Sequence, residues 1–173
     1  VTLAALLALA GCGGGQDAPA PPPRTAPTEI GHLVQLQRAG DPAAAGRIAR
    51  RLAENGQARA VLVTSDAMRP LLLRGESVIV DPRAYSVRRP PAPGDVVALR
   101  PTAAMARACG LARRDPLVLR VEAVAHGRLR ARGDDPAATP CDARTWGPAA
   151  PGLARVIGRV VAVYEPAERA RIV

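Results

Sequence analysis

Thr64-Ser65-Asp66-Ala67-Met68-Arg69-Pro70-Leu71-Leu72-Leu73-Arg74-Gly75-Glu76-Ser77-Val78-Ile79-Val80 is the stretch on which the fold class turns. A short run of branched residues follows Gly75 and stops at Asp81-Pro82, the signature of a strand bounded by turn formers. Working outward on the same grounds, strands are predicted near Ala60 to Val63, Ser77 to Asp81, Asp95 to Leu99, Leu117 to Ala125, Arg128 to Ala131 and Val156 to Tyr164. Ala125-His126-Gly127-Arg128 reads as a hairpin turn, with Gly127 free to take positive φ. The expected class is mainly β.

Upstream the periodicity is helical. Ile30, Leu33, Val34 and Leu36 recur at roughly helical spacing between Thr28 and Arg38, and Gly40 ends the run. Asp41 then suits an N-cap, Pro42 the first helical position, Ile48 and Leu52 one apolar side, and Asn55-Gly56 a C-terminal stop. Residues 28–56 are therefore predicted to form a helical hairpin ahead of a β domain over 57–166, with 167–173 as a tail.

The 173 residues allow one ordinary domain with a core, plus a leader and a linker. Aromatic residues are only 2% of the chain and Phe is absent, so Val, Leu, Ile and Ala must fill the interior. Formal net charge is +9, and all 24 basic residues are arginine. Those arginines are scattered and have no aromatic platform beside them, which argues against a nucleic-acid partner. Neither a cofactor nor a metal ion is expected from the residue pattern.

Three blocks, in order, resemble the signal peptidase I and LexA-type serine peptidase group over roughly residues 61–166. Ser65-Asp66-Ala67-Met68-Arg69-Pro70, followed by Gly75-Glu76-Ser77-Val78-Ile79-Val80, is similar to the family pattern Ser-Gly-Ser-Met-x-Pro and then Gly-Asp-x-Val-x-Val. Pro93-Gly94-Asp95-Val96-Val97 resembles its Gly-Asp-Val-Val strand, and Leu117-Val118-Leu119-Arg120-Val121 the strand that carries its general base. Gly133-Asp134-Asp135, Cys141-Asp142-Ala143-Arg144 and Val156-Ile157-Gly158-Arg159-Val160-Val161 resemble the family's closing loop and strand elements.

The resemblance implies a signal-peptidase-like β fold with two chemical departures. Where the family places its serine nucleophile this chain has Ala67, and where it places a Lys or His base it has Leu119. Alanine has no atom to attack a carbonyl and leucine cannot accept a proton, so no catalytic residue is expected. No lysine exists to substitute, and the two histidines, His32 and His126, fall in the first predicted helix and in the turn. A register slip does not restore the nucleophile, because the only serines are Ser65, Ser77 and Ser86. What remains is a cleft that could hold an extended peptide, with Ser65, Asp66, Met68, Pro70, Arg120, Asp134 and Asp142 as candidate binding residues. Two alternatives stand beside that expectation: an active serine endopeptidase with an atypical site, and a structural envelope lipoprotein.

Residues 1–12 suggest where the domain works. An apolar run leads to Leu9-Ala10-Gly11-Cys12, which resembles the lipobox of bacterial lipoproteins, although no arginine precedes it. The resemblance implies lipidation of Cys12 and a cell-envelope location facing the periplasm or exterior. Gly13 to Pro27, rich in Gly, Ala and Pro, reads as an extended tether. Export would make Cys109 and Cys141 candidates for a disulfide, the alternative being two free buried thiols. The expected partners are thus a membrane, through the lipid, and an extended peptide or exported protein segment.

Overall fold

The computed structural model describes residue 33 and residues 41–111, 116–139, 141–147, 150–165 and 169–173. The expected leader, Cys12, the tether, His32 and all of the first predicted helix except Leu33 lie outside the described residues.

Among the described residues, seven antiparallel strands make one sheet: β1 (Arg59–Leu62), β2 (Ser77–Asp81), β3 (Val96–Leu99), β4 (Leu117–Ala125), β5 (Arg128–Arg132), β6 (Val156–Glu165) and β7 (Arg169–Ile172). The order is β1-β2-β6-β3-β4-β5, with β7 paired to β6. Long β6 organises the sheet. Its Arg159 faces both Asp81 of β2 and Val97 of β3, so those strands flank it on opposite edges. Ala162 faces both Ile79 of β2 and Ile172 of β7, so β3 and β7 occupy successive lengths of the same β6 edge.

Side-chain alternation explains why these runs fold as strands. On β2, Val78 and Val80 enter a core with Val61, Val63, Met68, Leu72, Val96, Ala98, Val118, Val160 and Val163. Ile79 points the other way, into a cluster with Ala45, Ile48, Ala49, Leu52 and Ala162. That second cluster is where helix α1 (Pro42–Glu54) lies, its apolar positions three, four and seven residues apart on one face. Asp41 caps the helix by accepting a 2.9 Å hydrogen bond from the Ala44 N–H. β3 is buried along its whole length because Val96 and Ala98 serve the first core while Val97 and Leu99 serve a third.

The third cluster gathers Ala67, Met105, Leu119, Val121, Leu129, Ala131, Cys141 and Trp146 around Val97 and Leu99. Two short helices close it, α2 (Ala103–Cys109) and α3 (Ala143–Trp146). Thr102 caps α2 through the Met105 N–H at 3.1 Å, and Gly110 follows in the left-handed conformation. The β4–β5 turn takes His126 and Gly127 to φ of 51° and 70°, the backbone of a tight hairpin connection.

Three elements differ from the sequence expectation: helices α2 and α3 fall where no helix is predicted, and the expected tail contains β7, which pairs with β6 from Glu165↔Arg169 to Ala162↔Ile172. Among the described residues, no helix is long and apolar enough to cross a membrane.

Candidate functional site

A cleft of about 280 Å³ opens between the chain that leaves β1 and the first residues of β4. Val63, Thr64, Ser65, Ala67 and Met68 form one wall, Pro116, Leu117, Val118 and Leu119 the other, and Leu111 and Cys141 complete it. The lining is apolar apart from two hydroxyls. None of its side chains is a carboxylate, imidazole or amine that could take a proton from a nucleophile.

Among the described residues, strand pairing leaves one edge of this cleft open. Val121 hydrogen-bonds toward Asp95 and Gly94, on the β3 side of β4. Alternation then turns Leu119 and Leu117 toward β3 as well, and turns the N–H and C=O of Val118 to the opposite edge. On that edge β5 pairs no farther than Arg120↔Arg132, so the Val118 groups lie beyond its end. The cleft therefore borders a short stretch of strand edge whose backbone can pair with another chain.

Ala67 and Leu119 are 4% and 1% exposed and belong to the same apolar cluster. The segment holding Ala67 is fixed through its carbonyl, which accepts a 2.9 Å hydrogen bond from the Asp135 N–H. The Thr139 hydroxyl stands between the Ala67 and Asp135 carbonyls. Gly133 makes this close approach possible, since a Cβ there would sit 2.6 Å from the Ala67 oxygen and overlap Thr139.

The candidate binding residues divide between the cleft and its frame. Ser65, half-buried, and Met68, buried, line the cleft. Asp66 is half-buried in the adjoining turn, where its carbonyl accepts from the Arg69 N–H at 3.0 Å. Pro70 is exposed and outside the lining. Arg120 forms a two-pronged ion pair with Asp134, Nε to Oδ1 and Nη2 to Oδ2 both at 2.7 Å, and its Nη1 donates to the Gly94 carbonyl at 2.8 Å. This pair ties β4 to the 133–139 loop that supports Ala67.

Asp142 is likewise part of the frame. It is 1% exposed, caps α3 through the Arg144 N–H at 2.9 Å, and receives the Arg144 guanidinium at 2.9 and 2.6 Å. Burial pushes its pKa up, and the Arg144 side chain and the backbone N–H groups more than offset this, holding it below the ordinary carboxylate value. Because the folded pKa is the lower one, Asp142 contributes stability above the unfolded value near about 3.9 and loses it as pH falls below that. Melting temperatures of the wild type and Asp142→Asn are expected to differ at neutral pH and to converge below about pH 4.

Cys109 and Cys141 are joined as a disulfide, with Cα atoms 5.3 Å apart, which fastens α2 to the segment that begins α3 and lines the cleft wall. Leu111, Pro116 and Leu117, absent from the sequence-based candidates, complete that wall. Of the two alternatives for Cys109 and Cys141, bonded or free, the structure has the bond. His126 is exposed beyond the far end of β4, seven positions from Leu119 and so about 23 Å along the strand. It cannot serve the cleft as a base. Among the described residues, no group of three or more His, Cys, Asp or Glu is placed to hold a metal ion.

Compared with protein-family models, with curated proteins and with solved structures, the chain matches none.

Proposed function

We propose that this chain is a degenerate relative of the signal peptidase I group whose cleft binds an extended peptide by strand addition without cleaving it. The observation that carries the reading is the meeting of Ala67 and Leu119, 52 positions apart in sequence, in one cleft beside the open edge at Val118. These are the positions that the resemblance assigns to nucleophile and base. A family site that had lost its dyad would retain this kind of juxtaposition, with an apolar lining suited to small side chains.

In this reading the Val118 N–H and C=O pair with the peptide backbone. The cleft takes an alanine-sized side chain, and the Ser65 hydroxyl donates to a peptide carbonyl. The partner is an exported protein segment in extended form, and the domain works in the cell envelope, held to a membrane through a lipid on Cys12. The Cys109–Cys141 disulfide supports an oxidising, exported setting.

The test uses the full chain and an Ala-x-Ala peptide in two forms, one with ordinary amides and one N-methylated at the amide that would face Val118. Removing a single main-chain hydrogen bond is expected to weaken binding roughly tenfold, measured by calorimetric titration or by Trp146 fluorescence. Equal affinity for the two peptides, or no saturable binding of either, would overturn strand addition.

A further inference from the structure

The connection between β2 and β3 carries a feature that the peptide cleft does not use. Ser86 and Arg89 exchange backbone hydrogen bonds at 3.0 Å in both directions, which closes a tight hairpin with Val87 and Arg88 at its tip. Val87 is 97% exposed, far more than the other exposed large apolar side chains, Leu62 and Leu73 at 55% and 47%. Arg83, Arg88 and Arg89 are exposed on the same connection.

No carboxylate neutralises this cluster from within, since residues 82–94 contain three arginines and no Asp or Glu. The acids at either end are already hydrogen-bonded, Asp81 within the connection itself and Asp95 at its far end. Asp81 accepts from the Arg83 N–H at 2.8 Å, and Asp95 takes the Tyr85 hydroxyl at 3.0 Å, the Ala92 N–H at 2.9 Å and the Arg159 guanidinium at 3.5 Å. Arg89 Nη2 donates to the Arg83 carbonyl at 3.1 Å, which draws two of the three arginines together. Beside the hairpin lies a groove of about 330 Å³ lined by Pro82, Tyr85, Val87, Pro91, Leu153 and Val156 among others.

We infer that the Ser86–Arg89 hairpin is a docking element for an anionic phospholipid bilayer. An apolar tip ringed by arginines matches the two layers of such a surface: Val87 enters the interfacial zone, and the guanidiniums meet the phosphates around it. The reciprocal hairpin bonds satisfy the Ser86 and Arg89 backbone groups before any water is lost. The groove gives the displaced interfacial acyl carbons an apolar wall. A polyanion such as nucleic acid would use the charges but gain nothing from Val87, and no aromatic side chain stands at the tip to stack on a base.

The position is compatible with an accessible cleft. Leu62, next to the cleft segment, pairs with Ser77 at the start of β2, whereas the hairpin follows Asp81, about 13 Å farther along that strand. A membrane contact here would be a second attachment, independent of whether the cleft binds peptide.

The test measures co-sedimentation of the full chain with phosphatidylcholine vesicles, with and without phosphatidylglycerol. The neutral vesicles set the level due to the rest of the chain. Each arginine near an anionic surface is worth about fivefold in partitioning, so Arg83→Gln/Arg88→Gln/Arg89→Gln is expected to lower the phosphatidylglycerol-dependent part roughly 100-fold. Val87→Asp, a single change at a solvent-exposed site, is expected to lower it by at least fivefold. The comparison variant Arg128→Gln/Arg130→Gln/Arg132→Gln removes the same charge from β5 and is expected to retain most of the binding. An equal loss in that variant, or full binding by Val87→Asp, would overturn the proposal: the first means attraction by net charge alone, the second means that the tip does not enter the bilayer.

Discussion

Replacing Cys109 and Cys141 by serine is expected to lower the stability of the domain by about 3–4 kcal/mol in a denaturant titration. The bond closes a loop between residues 32 positions apart, and the chain-entropy cost of such a closure in the unfolded state gives this magnitude. The structural consequence is local as well. α2 is seven residues long, and only Met105 and Ala106 are buried on it, so the disulfide is its principal covalent hold on the α3 segment. Since Cys141 and Leu111 form part of the cleft wall, peptide affinity is expected to fall with stability. A loss below about 1 kcal/mol would mean that the apolar cluster around Trp146 holds this region without the bond.

Arg120→Ala is expected to cost about 2–3 kcal/mol, measured the same way. The arginine bridges three chain segments, and its removal leaves the Asp134 carboxylate, 18% exposed, without its two charge-assisted bonds and the Gly94 carbonyl without its donor. Arg120→Lys is expected to recover only part of the loss, because an ammonium cannot reproduce the two-pronged geometry. The double variant Arg120→Ala/Asp134→Ala is expected to be less damaged than the sum of the single changes, since no carboxylate is then left unpaired. Additive losses would show that the pair does not act as a unit.

Much of the fold could be read from residue patterns, for a definite reason. Runs such as Ser77–Asp81 and Val156–Glu165 combine branched residues with Gly and Pro boundaries, and their alternation matches a sheet with cores on both faces. α1 announced itself through Asp41, Pro42 and the spacing of Ile48 and Leu52. The segments that escaped lack such intrinsic signals. Arg169–Ile172 has one branched residue, and its strand form comes from pairing with β6. α2 is an alanine-rich segment of about two turns whose signals, Thr102 before it and Gly110 after it, were present but short-ranged.

The candidate site was legible to a smaller degree. Ser65, Ala67, Met68 and Leu119 were singled out from motif resemblance, and they do line one cleft. Arg120, Asp134 and Asp142 came from the same motifs, yet their charges are satisfied by partners 14 and 2 positions away and shape the frame around the cleft. The Arg120–Asp134 pairing depends on how a strand meets a loop, which no local pattern encodes, whereas the Asp142–Arg144 pair is local, a helix cap and its neighbour. The edge at Val118, open among the described residues, was invisible for a similar reason: it depends on β5 ending at Arg132.

The account stands or falls on incubation of the unmodified full chain with an Ala-x-Ala peptide, followed by mass spectrometry alongside a binding titration. It predicts saturable binding and an intact peptide. Time-dependent cleavage that disappears in Ser65→Ala would contradict it, because the cleft would then hold a working nucleophile where only Ser65 and Thr64 supply a hydroxyl.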